Sequence, residues 1–280
     1  YHNTFNKVHD LTLTGVTTWN YNQSEKYYIY GENPATNDML WYALENADNK
    51  KLNSSYNMSK GFGLIGRVNY SYMGKYLFSA SIRYDGASRL ADGKKWNTFP
   101  AVSLGWRVSD EKFMSGTKSW LDNLKLRVGY GVAGTTAGIN EYSSMASLIN
   151  TTTTLGGQTV PSAKFTEYIT NRNLTWEKTH DFNIGIDAAF LNNRIDLTLD
   201  LYKTKTTDVI IAQTLPTSIM GTYTGNTPYK MNKNAAKTEN RGVEIAINSR
   251  NIVKKDFTWS STVTFTANKE KIKSLIDGQD

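Results

Sequence analysis

Apolar and polar residues alternate over stretch after stretch of this sequence, and period-two alternation is what a strand with two unlike faces requires. In 61–72, Phe62, Leu64, Val68, Tyr70 and Tyr72 share one face with Gly66, and Gly63, Arg67, Asn69 and Ser71 share the other, with Ile65 the exception. In 75–85, Tyr76, Phe78, Ala80, Ile82 and Tyr84 alternate with Leu77, Ser79, Ser81, Arg83 and Asp85. In 181–190, Phe182, Ile184, Ile186, Ala188 and Phe190 oppose Asp181, Asn183, Gly185, Asp187 and Ala189. The pattern recurs at 195–202 and 257–266, and more faintly at 8–20, 99–109, 122–131 and 237–250. No segment carries a helical period of comparable strength, which predicts an all-β chain of about nine strands.

Composition removes several classes. No stretch approaches the run of about 20 apolar residues that a transmembrane helix needs. Aromatic residues make up 12% of the 280 positions, too many for a disordered chain. The absence of cysteine excludes a disulfide scaffold, a thiolate metal site and a Cys nucleophile. The net charge is +7, from 32 Lys+Arg against 25 Asp+Glu. The basic residues are scattered, with Lys50-Lys51 and Lys254-Lys255 the densest groups, so they read as solvated surface and not as a nucleic-acid footprint. The start, Tyr1-His2-Asn3-Thr4, lacks the basic and apolar regions of a signal peptide and reads as a mature or excised end.

The connections fall into two kinds. Short ones lie near Met73-Gly74-Lys75, Leu191-Asn192-Asn193-Arg194 and 251–255, with a medium one at 110–121. Long ones, at 21–60, 86–98, 132–175 and 206–236, are rich in Asn, Thr, Gly, Ser and Tyr. Short turns at one end and long loops at the other predict a transmembrane antiparallel β-barrel segment, with short periplasmic turns and long extracellular loops. A β-sandwich also alternates, so a secreted or surface-anchored sandwich that binds polysaccharide through aromatic loops is the alternative. Aromatic placement separates the two: Tyr70, Tyr72, Tyr76, Phe99, Trp106, Tyr130, Trp176, Phe190 and Phe257 lie near strand ends, as interfacial girdles require.

Chemistry-bearing motifs are weak. Gly61-Phe62-Gly63-Leu64-Ile65-Gly66 fits the dinucleotide pattern but opens a strand where the phosphate site needs a helix N-terminus. His2, His9 and His180 have no metal-site spacing. Asp196 and Asp200 share a strand face, as do Asp181 and Asp187; paired carboxylates serve glycosidases, but a hydrated lumen wall explains them more simply. No catalytic residue, metal or cofactor is expected. Tyr27-Tyr28-Ile29-Tyr30, with Trp41-Tyr42 beyond, forms an aromatic segment in which Tyr28, Tyr30 and Trp41 are candidates to contact cargo or a partner.

Five segments, in order, carry a resemblance. Arg83-Tyr84-Asp85-Gly86-Ala87-Ser88-Arg89-Leu90 resembles the strand-to-loop element R-x-D-G-S-S-R-F of the SusC/RagA class of TonB-dependent outer-membrane transporters. Phe99-Pro100-Ala101-Val102-Ser103-Leu104-Gly105-Trp106-Arg107 is similar to that family's next strand, and Leu121–Arg127 with Gly129-Tyr130-Gly131 to the one after. Asn173-Leu174-Thr175-Trp176-Glu177-Lys178-Thr179 and Glu239-Asn240-Arg241-Gly242-Val243-Glu244 complete the set, which spans roughly 61–270; Ala87 and Leu90 stand where Ser and Phe are commoner.

The resemblance implies a barrel of about 22 strands with an N-terminal plug, importing large nutrients (glycan, or peptide in some members) across the bacterial outer membrane with energy from the TonB complex. It also implies a SusD-like surface lipoprotein as lid. Nothing here reads as a plug, an energy-coupling box or a terminal aromatic strand, so 1–280 is expected to be a partial barrel domain from the middle to late barrel. Arg83 and Arg89 are candidate substrate or lid contacts. Asp85, Gly86, Phe99, Pro100, Gly105, Trp106, Arg107, Trp176, Arg241 and Gly242 are expected to be structural, with the glycines beside Asp85 and Arg241 setting turn geometry. The expected partners are the lid, the TonB complex, the cargo and the bilayer.

Overall fold

The computed structural model describes residues 1–34, 36, 38 and 44–276. Its strands are β1 (His2–Phe5), β2 (His9–Glu32), β3 (Asn49–Tyr72), β4 (Tyr76–Ala87), β5 (Trp96–Arg107), β6 (Leu121–Thr135), β7 (Leu148–Leu155), β8 (Gln158–Phe165), β9 (Tyr168–Ile169), β10 (Glu177–Phe190), β11 (Ile195–Thr214), β12 (Thr222–Thr224), β13 (Thr227–Pro228), β14 (Lys230–Val253) and β15 (Thr258–Ser274). Nine of them, β2–β6, β10, β11, β14 and β15, are 12 or more residues long, and each holds all or nearly all of one of the nine alternating segments of the sequence. They pair antiparallel, neighbour to neighbour, in one curved meander, with β1 at the leading edge and β9 added alongside β14. The pairs β7–β8 and β12–β13 are separate two-stranded hairpins. Among the described residues no helix is long and apolar enough to cross a membrane.

The register makes the two faces continuous. One cross-strand row joins Leu13, Val68, Ala80, Val102, Tyr130 and Phe182. A lower one joins Tyr72, Tyr76, Trp106, Leu126, Ile186 and Leu199. This apolar face lies open: Leu64, Ile82, Leu104, Ile184, Leu201 and Val263 are all exposed. No second sheet covers it among the described residues, which removes the sandwich, since a sandwich buries this face against another sheet. Phe62 to Tyr72 spans about 33 Å of strand, and at a tilt of roughly 40° that is a band about 25 Å tall, the height of a barrel's lipid-facing band.

Aromatics flank this band. On the short-turn side, Tyr72 stacks on Tyr76 with centroids 6.2 Å apart and Trp120 on Phe190 at 6.1 Å. On the other side Trp96 stacks on Tyr84 at 5.1 Å and meets Phe62 edge-on at 6.0 Å. The short β3–β4 turn is tight: in its three-residue loop, Lys75 N–H bonds Tyr72 O at 3.0 Å, and Met73 (φ 55°) and Gly74 (φ 69°) both take the left-handed region.

Two expectations are corrected. The long connections at 21–60 and 206–236 are mostly strand: β2 and β3 pair without a break from His9↔Tyr72 to Glu32↔Asn49, and β11 pairs β14 up to Thr214↔Lys230. Ser, Asn, Thr and Lys fill these stretches because both faces stand in water above the band, and hydrogen bonding, not hydrophobic alternation, holds the ladder. Phe99 and Trp176 are also not girdle residues. Both are buried, at 4% and 6% exposure, in a cluster behind the loops.

Candidate functional site

The long-loop end of the sheet is tied together by one small core. Leu90 and Leu174 are fully buried, and with Ala91, Phe99, Ile139 and Trp176 they form a single cluster. The sequence supplies them from four distant segments: 88–95, β5, 136–147 and the approach to β10. Phe99 and Trp176 meet edge-on at 5.3 Å. Polar bonds lock the same segments: Trp176 Nε1–H donates to Lys95 O at 3.1 Å, and Ala91 N–H to Leu174 O at 3.2 Å. Asn234 clasps the approach to β10, accepting from Thr175 N–H at 2.9 Å and donating to Thr175 O at 2.9 Å and Asp208 O at 2.8 Å. Phe99 lies across Gly134, where any Cβ would enter its ring.

Arg89 belongs to this knot. Its guanidinium donates to Glu141 Oε1 at 3.0 Å, Ser59 Oγ at 3.3 Å and Ile139 O at 3.4 Å, tying the 136–147 loop to β3. Arg83 stands differently. Its Nε bonds Asp85 Oδ2, and its side chain is 45% exposed in a cavity of about 520 Å³ on the concave face. Thr18, Asn20, Asn22, Ser59, Ser81 and Asp85 line the same cavity. Asp85 is buried against Gly63, and its Oδ1 has no hydrogen-bond partner among the described residues. Thr18, Asn20 and Asn22 were not singled out in the sequence; their signal was parity, since they continue the polar face of β2 upward.

The concave wall below carries a second polar group. Arg127 donates to both oxygens of Asp187, at 2.8 and 2.9 Å, and to Asp200 Oδ2 at 3.2 Å. The guanidinium crosses the strand between them at Gly185, where a Cβ would lie 2.6 Å from Arg127 Cζ. Asp181 accepts from Thr204 Oγ1 at 2.7 Å. Three of the four carboxylates considered for acid–base chemistry, Asp181, Asp187 and Asp200, are thus held in an ion-pair network and a hydroxyl contact, as polar wall.

The remaining candidates are spread out. Tyr28 and Tyr30 lie side by side on β2 with rings 9° from parallel and 6.2 Å apart, and Tyr30 Oη–H donates to Glu32 at 2.7 Å. Hydrogen bonds from Tyr30 and then Asn49 hold the Glu32 carboxyl below its ordinary range. Trp41 lies outside the described residues. Pro100 and Gly105 are on β5, opposite Ile82 and Leu77, and Trp106 Nε1–H reaches Glu111 at 3.2 Å beside the β5–β6 turn. Arg107 ends β5 opposite Lys125. Gly86 and Gly242 have ordinary extended backbone, which corrects their expected role: a Cβ at Gly86 would strike the Trp96 ring at 2.7 Å, and one at Gly242 would strike Tyr202 Oη at 2.6 Å. Space, not dihedral freedom, requires them. Arg241 neighbours Lys203 and Lys269 on the convex face.

Residues 1–280 match the family model described as TonB dependent receptor-like, beta-barrel. TonB-dependent receptor P3 of Formosa agariphila is 33% identical over 99% of this chain and 27% of its own length. TonB-dependent receptor SusC of Bacteroides thetaiotaomicron is 36% identical over 77% of this chain and 21% of its own. The chain thus spans about a quarter of the length of these relatives. The RagAB peptide importer in its closed-closed state has the same fold, with a TM-score of 0.83 over 100% of this chain and 30% of that one at 22% identity.

Proposed function

Because this chain belongs to the TonB-dependent receptor β-barrel family, we propose that it is wall and mouth of an outer-membrane transporter that imports large nutrients, glycan or peptide, with energy delivered through TonB. The observation that supports this most directly is the sheet of nine long strands, open and apolar on its convex face and polar on its concave face, within the residues matched to the family. A 22-stranded barrel of this class encloses a plugged lumen, and here the concave face supplies its lining: Arg127, Asp187 and Asp200 below, the Arg83 cavity above. No bond is made or broken by these residues. They bind and release cargo while energy is supplied elsewhere.

Within the mouth, Arg83 is the cargo-facing arginine, held by Asp85 and still about half exposed in the cavity, and Arg89 positions the loop that frames it. The name of the RagAB peptide importer favours peptide among the possible cargoes, and the resemblance to the SusC/RagA class favours a SusD-like lipoprotein as lid. Tyr28 and Tyr30, displayed on the β2–β3 ribbon, fit a contact with such a lid or with cargo.

The test is an outer-membrane extract run unboiled and boiled, probed with antibody to this segment. A band well above 31.5 kDa that shifts on boiling supports a closed barrel; a soluble band at 31.5 kDa without a shift overturns it. Face assignment is checked by arginine substitution in the full-length protein. Leu199→Arg, near the middle of the band, should cost about 2–4 kcal/mol of assembly stability, and Thr198→Arg on the lumen face should be mild. Equal tolerance would reverse the faces.

A further inference from the structure

Beyond transport itself, the convex face carries a feature that the scattered charges of the sequence concealed. Above Leu201, Val243 and Ala267 the outward positions of three adjacent strands change from apolar to cationic. Lys203 pairs in register with Arg241, and Arg241 with Lys269; one rung higher, Lys205 pairs with Glu239 and Glu239 with Lys271. Lys273 follows on the same face, 3.9 Å from Glu239, which also takes Lys203 at 3.3 Å. All six cations are exposed. Glu239 is the one carboxylate among them, and Lys205, Lys269 and Lys271 have no ion-pair partner among the described residues. The lumen-facing neighbours in the same stretch, Tyr202, Thr204, Asn240, Gly242, Asn268 and Glu270, include no cation, so the cations are confined to the outside.

Their height follows from the register. The row that begins beside the 73–75 turn at Tyr72 ends at Leu199, well above the 191–194 turn, so rows climb from β3 towards β11. Val68, in the middle of the band, is joined in the same way to Lys203. That row crosses five strand spacings, about 24 Å, and a strand tilt of roughly 40° raises it by about 15 Å. Half the band is about 12 Å, so Lys203, Arg241 and Lys269 stand at the headgroup level of the outer leaflet. Long basic side chains can lay their stems on the apolar wall and present the charge there.

We propose that this cationic belt on β11, β14 and β15 binds phosphate-bearing headgroups of outer-leaflet lipid. The inference rests on the membrane-barrel reading. Cargo in the lumen cannot occupy the site, because the belt lies on the opposite face of the wall. Charge complementarity and continuity with the apolar band favour lipid over a soluble anion: a bound lipid would put its chains on Leu201 and Val243 and its phosphates on the belt in one contact.

The test uses full-length protein purified in detergent and incubated with a bisphosphorylated glycolipid, with bound lipid counted by native mass spectrometry. The variant Lys203→Gln/Arg241→Gln/Lys269→Gln should hold this lipid at least tenfold more weakly than wild type, while both hold its dephosphorylated form equally. Lys205→Gln/Lys271→Gln, farther from the band, should show the same direction and serves if the triple variant does not assemble. Equal retention by variants that still give a heat-shifting band overturns the belt and leaves the barrel standing; a wild type with no heat shift overturns both. Displacement of the lipid by inorganic phosphate at matched phosphate concentration would mean a free-anion site and would also overturn the proposal. So would a variant that loses a soluble anionic polysaccharide or a surface lipoprotein but keeps the lipid.

Discussion

Two structures rise from the same end of the sheet, and they stand by opposite means. The knot of Leu90, Phe99, Ile139, Leu174 and Trp176 buries its apolar groups, two of them completely. The ribbon of β2 and β3 above Gly61 buries almost nothing: Leu52 is 80% exposed, Tyr27 76% and Ile29 61%. It is held by an unbroken antiparallel ladder and by local contacts such as Lys51 over the Tyr30 ring. The knot fixes loops that have no regular structure of their own, so it needs a core. The ribbon satisfies its backbone rung by rung, and can extend past its neighbours into water. Loops meet it near its base, where Tyr142 Oη accepts from Met58 N–H at 3.1 Å and Arg89 donates to Ser59 Oγ at 3.3 Å.

The sharpest way to break this contrast is to remove a knot residue. Leu174→Ala should cost about 2–5 kcal/mol locally. Hydrogen exchange and limited proteolysis should then show 88–95 and 136–176 opened while the heat-shifting barrel persists; unchanged protection would mean the loops are held elsewhere. Gly134→Ala comes next. It forces the Phe99 ring aside at an overpacking cost of about 1–3 kcal/mol, detectable as loss of protection in the same loops. Arg89→Met removes a half-exposed ion pair with Glu141 worth about 1 kcal/mol or less. Its effect should be confined to the 136–147 loop.

On the ribbon the same kinds of change should do little. Leu52→Asn alters no buried contact and should stay within about 0.5 kcal/mol, with exchange rates in β2 and β3 unchanged. The ribbon's sensitivity is to acid. Glu32 is held below the ordinary carboxyl range by Tyr30 and Asn49, so its contribution is present above the unfolded-state pKa and is lost as pH falls through the lower folded value. Exchange at the ribbon tip should rise as pH drops below the carboxylate range, Glu32→Gln should remove that dependence, and the knot should not follow it.

Much of the wall was legible because alternation is a local property. Phe182, Ile184 and Ile186 against Asp181, Asn183 and Asp187 specify two faces whatever the strand pairs with, and all nine segments became long strands. The ribbon was misread because hydrophobic contrast fades where both faces meet water, although the backbone pairing continues unchanged. Phe99 and Trp176 were misplaced for the converse reason: a single aromatic near a strand end looks the same whether it faces lipid or a core assembled from four distant segments. Gly86, Gly185 and Gly242 announced close quarters but not their occupants, Trp96, Arg127 and Tyr202, which only register brings against them.

The sequence by itself therefore determined the strands, their two faces and the ends where they turn, because each follows from neighbours one or two residues apart. It also held the odd-numbered lysines of 203–205 and 269–273, but as a separate pair and triplet in a scattered charge. Tertiary structure alone decided that they form one belt, that Arg83 stays about half exposed in the cavity while Arg89 beside it is tied to Glu141, Ser59 and Ile139, and that Leu90 and Leu174 share a core. Those outcomes depend on which strand lies beside which and on how far the rows climb around the wall, and strand pairing across dozens of residues leaves no mark in local pattern.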